Sequence, residues 1–379
     1  MRILHLTLSA AQGGRRDAIL TLVDHLRPLG AECGIVALRN RPSEVAEIAD
    51  RADYTDGLDF NARPTLSELR QVWQICRDRR LDLIHAHDHG SQYVASALRM
   101  VVPSLRTVMT FHRTLGIETE GLRNRARNAL SLPLIDRVLT ASEDRRAYFL
   151  RNTLVRRGKV TVIPHGIDLD RFRPSGGTRE CARTKLGLPS STVLALAIGH
   201  FGPEKGIDQV LDAAANADAQ IKERPWHIVI LGTGPSGRAD QLRSQADRLL
   251  PRRVTFLGFL PDVVPFLQAA DLLIHAPRQE AFGQVVIQAL ACGVPVVASA
   301  VGGIPELIED GQSGLLSPPG SADEMGRNIA RLVCDPAERL RMGERARGRA
   351  LQRYDAREYA RRHFQLYRAL SPDAGLSDT

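Results

Sequence analysis

Lysine is almost missing from this chain. Of its 51 basic residues only Lys159, Lys185, Lys205 and Lys222 are lysines, so arginine carries nearly all the positive charge. Cysteine is scarce too: Cys33, Cys76, Cys181, Cys292 and Cys334 are odd in number, far apart and without a CxxC pair. That pattern excludes a disulfide frame and a zinc ribbon and fits a reducing compartment. No apolar run approaches the ~18 residues of a membrane span. Residues 1–8 (MRILHLTL) are too short for a signal peptide and are soon followed by Gly13, Gly14 and Arg15. The chain is therefore expected to be cytoplasmic. It has no P-loop, no GxSxG elbow and no cysteine in a nucleophile context, and no GxGxxG follows the first strand.

What is present describes an ordinary globular protein, 379 residues with 43% apolar and 25% charged. That length fits about two domains, each able to bury a core. The formal net charge is +8, and it is unevenly spread. Residues 1–175 hold 27 basic and 20 acidic side chains, whereas the remainder holds 24 and 23. A positive first half suits an anionic partner, such as a membrane surface, a phosphorylated acceptor or nucleic acid. An arginine-rich solvated surface explains the charge equally well.

Short β-branched and apolar runs alternate with helical patterns along the whole chain. In the first half they cover 2–8, 33–38, 81–87, 104–111, 136–141 and 159–164. In the second they cover 192–198, 226–232, 253–258, 271–276 and 294–299. Alternation of this kind predicts parallel sheets covered on both faces, and here it occurs twice. The break lies near 165–190, in a stretch rich in Gly, Pro and charge. The expected fold is α/β, with two Rossmann-like doubly wound domains facing a cleft. The expected boundaries are 1–170, 171–354, and a C-terminal helix with a polar tail over 355–379. In such sheets ligands bind beyond the C-terminal strand ends.

Several strings at those strand ends carry chemistry. Gly13 and Gly14 follow the first strand and open a helix, where free N–H groups favour a phosphate, or simply a tight turn. In GHFGPEKG (199–206), Lys205 stands at a helix start, an unfavourable place unless an anion is present. In RQEAFGQVVIQALACG (278–293), Glu280 precedes a helix, and Phe282, Gly283 and Gln284 offer backbone N–H groups at its start. Glu280 and Gln288 are eight apart, about two helical turns, so both are expected along one side. A carboxylate and an amide suit the hydroxyls of sugar and ribose.

Together with VIPHGIDLDRFRP, VGGIPELIEDGQSGLL, DLIHAH and TFHR, these strings resemble the signatures of retaining GT-B glycosyltransferases, specifically glycosyltransferase family 4 (glycosyl transferases group 1). The resemblance covers nearly the whole chain. It implies transfer of a sugar from a nucleotide diphosphate sugar to a hydroxyl of a sugar or lipid-linked acceptor, with retention. It also implies cell-surface polysaccharide or glycolipid synthesis, with no cofactor and no metal. Nucleic acid is not expected as a partner, and the charge of the basic N-terminal domain fits peripheral contact with an anionic membrane. By position, Gly13 and Gly14 match the glycine loop near the donor phosphates, and His112 matches a histidine lining the reaction centre. Lys205 matches the lysine that neutralises the diphosphate, and Glu280 the first glutamate of the E-x7-E motif, which touches the transferred sugar. Phe282, Gly283 and Gln284 match its backbone-contacting loop. The C-terminal helix (355–370) is implied to pack on the N-terminal domain.

Three positions depart from the pattern. His200 stands where an arginine partners the lysine, Gln288 where a second glutamate binds ribose, and His165 where IPNG has asparagine. These departures keep two alternatives open: a binding-only or weakly active relative, and a sugar-nucleotide epimerase on the same fold. Two further features have rival readings. HAHDH places His85, His87 and His89 in alternation, so three imidazoles could share a face as in a metal box. Residues 113–132 are basic and amphipathic, which fits an interfacial helix, an acceptor-phosphate cradle or a surface helix packed by its leucines.

Overall fold

The computed structural model describes residues 1–39, 42–60, 65–112, 122–221 and 224–371. The chain forms two compact units, Met1–Gly166 with the segment from Ala356 onward, and Ile167–Asp355.

The first unit is built on β1 (Arg2–Thr7), β2 (Glu32–Ala37), β3 (Tyr54–Gly57), β4 (Leu83–Ala86), β5 (Arg106–Phe111), β6 (Arg137–Thr140) and β7 (Val160–Val162). They form one parallel sheet in the order β3-β2-β1-β4-β5-β6-β7. Its strands are nearly all apolar because both faces are covered. One face buries Leu4, Leu6, Ile84, Ala86, Met109 and Phe111. The other buries Ile3, Ile35, Leu83 and Val108 under the helices Gly14–Leu26 and Ala356–Leu370, the latter contributing Tyr359, Ala360 and Tyr367.

The second unit holds β8 (Val193–Ile198), β9 (Trp226–Leu231), β10 (Val254–Gly258), β11 (Leu272–His275), β12 (Val296–Ser299) and β13 (Gly314–Ser317). The order is β10-β9-β8-β11-β12-β13. Both sheets therefore reverse direction of winding once, at β1/β4 and at β8/β11. Crevices at such switch points are where doubly wound sheets bind ligands.

Eleven strand-like runs were expected, and thirteen strands form among the described residues. The additional two, β3 and β13, are edge strands. β3 reads YTDG and is largely half-exposed, so no apolar run marks it. β13 is only four residues long, GLLS, inside a glycine-rich turn pattern. Of the basic stretch 113–132, residues 113–121 lie outside the described residues, and a helix runs over Leu122–Ser131. Among the described residues no helix is long and apolar enough to cross a membrane.

Candidate functional site

In the second unit the loops after β8 and β11 meet. Pro203–Lys205 form a single tight turn, and the helix Ile207–Asp218 follows. Lys205 Nζ donates to Glu280 Oε2 at 2.8 Å. The anion that a lysine at this helix start demands is thus supplied from within the chain. Glu280 Oε1 accepts from the Ala281 N–H at 3.1 Å, and His275 Nε2 lies 3.4 Å from Oε2. Burial alone would push the Glu280 carboxyl up. The His275 imidazole and the Lys205 ammonium outweigh it and hold the group at about 2, so it is ionised at neutral pH.

The pair is braced by the backbone. Arg278 grips Asp208 with both terminal nitrogens, at 2.9 and 2.7 Å, and donates to the Pro203 carbonyl at 2.8 Å. The Arg278 and Gln279 N–H groups both donate to Glu204 O. Loop 278–280 is therefore tied to turn 203–205 on either side of the ion pair. Two glycines permit this closeness. A Cβ on Gly206, at φ 61°, would lie 1.9 Å from Ala276 O, and one on Gly302, at φ 53°, would lie 1.8 Å from Glu280 O. Neither position tolerates a side chain.

The remaining second-unit residues surround this pair unevenly. Phe282 is buried, its ring edge-on to Tyr354 at 6.3 Å. Gly283 caps the helix Gln284–Ala291, and Gln284 opens it. Gln288 is buried within that helix. Because the helix starts at Gln284, Glu280 belongs to the preceding loop, and the two-turn spacing expected between Glu280 and Gln288 does not apply. His200 is more than half exposed. Its Nδ1 accepts from the Gly202 N–H at 3.0 Å and lies 3.8 Å from Glu204 Oε1, so Nε2 carries the ring proton.

In the first unit, Gly13 caps the helix Gly14–Leu26 and Gly14 is its first residue. Asp88, buried at the end of β4, accepts from Leu8 N at 2.6 Å and Thr7 Oγ1 at 3.0 Å, with Arg15 at 3.6 Å. It thereby ties the loop leading to Gly13 onto the β4 end. His112 follows β5 and is partly exposed. Its Nε2 lies 3.3 Å from His87 Nδ1, and its ring stacks on His165 at 5.2 Å and 8°. Burial drives its pKa well below the ordinary imidazole value, with His165 and Arg15 adding to the effect.

The rival reading of HAHDH, three imidazoles on one face, does not hold for His89. Strand β4 ends at Ala86, and Asp88 caps a helix that begins at His89, so the alternation stops. His89 turns toward Phe111 and Tyr93. The residue that joins His85 and His87 is His5, opposite His85 in the β1/β4 register. Nitrogens of these three buried histidines lie within 4.8 Å of one another, a set able to hold a metal ion. Sequence reasoning missed His5 and also His275; each is a polar residue inside an otherwise apolar strand, and that contrast was the available signal.

Two family models match the chain: the one described as Glycosyltransferase Family 4 over residues 13–171, and Glycosyl transferases group 1 over 178–349. A D-inositol 3-phosphate glycosyltransferase of Corynebacterium aurimucosum is 30% identical, the match covering 91% of this chain and 88% of that protein. One of the same name from Streptomyces bingchenggensis is 31% identical over 73% of this chain and 64% of its own length. Among solved structures, Anabaena HepE in complex with UDP superposes with TM-score 0.86 at 24% identity, covering 97% of this chain and 100% of that one. Sucrose-phosphate synthase from Thermosynechococcus elongatus gives 0.83 at 24%, covering 98% and 99%. The matched models, the full-length relative and the paired parallel sheets together place this chain in glycosyltransferase family 4, with the GT-B fold.

Proposed function

We propose that this glycosyltransferase moves a sugar from a nucleoside diphosphate donor to a hydroxyl acceptor with retention of configuration. The observation that carries the reading is the half-buried, backbone-braced Lys205–Glu280 pair at the β8/β11 switch point. Lys205 neutralises the donor diphosphate, and N–H groups at Gly283 and Gln284 add partial positive charge. Positive charge there stabilises what develops on the leaving diphosphate, which is the largest lever such a site has, and supplies it without a divalent cation. On donor binding Lys205 exchanges Glu280 for phosphate oxygens. The ionised carboxylate then accepts from hydroxyls of the transferred sugar, while the Ala281 N–H and His275 keep its position. By the family resemblance Gly13 and Gly14 meet the donor phosphates, Phe282 shapes the loop, Gln288 bonds ribose and His112 lines the reaction centre. No carboxylate other than Glu280 is proposed to act on the sugar, so the acceptor attacks from the leaving-group face with the departing phosphate oxygen taking its proton.

The Anabaena structures hold UDP and UDP-glucose. We take a uridine nucleotide as the first donor to test, and D-inositol 3-phosphate, in the relatives' name, as the first acceptor. Synthesis of a surface glycan or glycolipid at an anionic membrane face is the setting the basic first half favours. The test is incubation with a panel of nucleotide sugars in EDTA, with and without acceptor. Transfer, or slow hydrolysis without acceptor, supports the proposal. A binding-only protein, the reading His200 favours, would show thermal stabilisation by donor without turnover. An epimerised donor would mean an epimerase.

A further inference from the structure

The first unit buries more imidazole than its proposed function uses. His5 Nδ1 lies 3.0 Å from His87 Nε2, and His87 Nδ1 lies 3.3 Å from His112 Nε2. These contacts make a three-ring chain running from the core to the partly exposed His112. Each contact needs one N–H and one lone pair, which singly protonated imidazoles supply. Each contact between neutral rings shares one proton, so the protons all point one way along the chain.

The direction follows from the inner end. His5 Nε2 is buried and has no hydrogen-bond partner among the described residues. If the protons pointed inward, an N–H would be stranded there. If they point outward, only a lone pair is left over. A stranded donor is the rarer and costlier defect, so the protons point outward. His87 Nδ1–H then donates to His112 Nε2. His112 must carry its own proton on Nδ1, the one nitrogen it has left for a ligand. Stacking on His165 fixes the plane of the ring. His85 stands outside the chain, its nitrogens bonded to Thr110 Oγ1 and Tyr367 Oη, both at 2.7 Å.

We infer that His87, backed by His5, is a positioning residue that locks His112 as the Nδ1–H tautomer and so makes it a fixed hydrogen-bond donor to a sugar hydroxyl. The tautomer stands on the geometry of the first unit, whereas the hydroxyl partner rests on the proposed function.

Labelling the full chain with 15N-histidine and recording long-range 1H–15N correlations reads the tautomer directly, without substrate. Wild-type His112 is expected as Nδ1–H. His87→Leu should convert it to a mixture of tautomers, and His87→Asn, which keeps an N–H at the Nδ1 position, should restore it. With a donor found, kcat should fall roughly 10- to 100-fold in His87→Leu at unchanged donor KM, the scale of a misaligned group, and largely recover in His87→Asn. A wild-type Nε2–H tautomer, or one unaffected by His87→Leu, overturns the lock. So does a stoichiometric metal ion in the purified protein, because ligation would consume the nitrogens that form the chain. Should His87→Leu fail to fold, the wild-type spectrum alone still decides. If the tautomer is as expected but His112→Phe turns donor over at the wild-type rate, the hydroxyl-donor role falls while the lock stands.

Discussion

The two units offer their candidate groups at equivalent switch points, yet with opposite electrostatics. In the second, Lys205 and Glu280 are both charged, and the carboxylate is kept ionised at about 2 although almost fully buried. In the first, His5, His85, His87, His165 and His363 are packed together, and burial drives all of them toward the neutral form. The difference lies in the partners. Glu280 has a cation within 2.8 Å, so ionisation is favoured despite desolvation. Among the described residues, His5, His85, His87 and His363 bond to one another, to tyrosine and threonine hydroxyls and to backbone, groups without a negative charge to offset the cost of a buried cation. One switch point is suited to holding charge and the other to directing a hydrogen bond.

The largest expected effect of this contrast is on acid stability. A histidine whose folded pKa lies below its unfolded value of ~6.5 binds its proton more readily when unfolded. Its stabilisation is complete above about pH 6.5 and is lost as pH falls toward the folded value. That value is about 3 for His5 and His363 and about 4 for His165. Each group forfeits ~1.4 kcal/mol per pH unit, so these three alone cost roughly 5–6 kcal/mol by pH 5. The second unit, where burial lowers half-buried His227, should lose less. Trp73 and Trp226 report the two units separately, so urea unfolding of Trp73→Phe and Trp226→Phe at pH 7 and pH 5 measures each. Equal losses in both units would break the comparison.

Next in size is Glu280→Gln. Turnover should fall about 100-fold, the scale of losing one preorganised transition-state contact. Affinity for the nucleoside diphosphate should not fall, because the change leaves Lys205 without its internal counter-charge. Calorimetry beside a turnover assay checks both, and a parallel loss of affinity would move Glu280 onto the nucleotide. Lys205→Ala should weaken nucleoside diphosphate binding by roughly 10- to 150-fold, equivalent to ~1.5–3 kcal/mol for a charge-assisted contact, while sparing the bare nucleoside. Equal losses for the two ligands would place Lys205 away from the phosphates. The smallest effect belongs to the exposed His200. His200→Arg should tighten diphosphate binding only a few-fold, within ~0.2–1 kcal/mol for a solvent-screened contact. A tenfold or larger gain would show that this position limits the site.

Parallel strands with their periodic helices were legible because burial on both faces leaves a continuous apolar run, as in VLALAI or WHIVIL. β3 was not legible, since an edge strand needs apolar side chains on one face at most. At the candidate site, the family motifs exposed Lys205 and Glu280 but not their mutual contact. That contact depends on Arg278 and Asp208 drawing two loops together, a relation between side chains 70 residues apart. The histidine chain was hidden for a similar reason. His87 shares a string with His89, but its actual partners, His5 and His112, come from neighbouring strands and are set by sheet register.

The first unit is interrupted in sequence: residues Ile167–Asp355 are made before the helix Ala356–Leu370 that completes it. Tyr367 bonds His85 across 282 positions of chain, and Tyr359 and Tyr367 cover the face on which His5 and His85 lie. During synthesis the uninterrupted second unit can therefore finish first, reversing the usual N-terminal-first order. At ~5–20 residues per second the inserted stretch takes roughly 10–40 s to emerge, and for that time the imidazoles stay open to water with ordinary proton affinity. A newborn chain should thus be far more protease-sensitive in its older half than in its younger one, and closing the last helix would expel the water and the protons together.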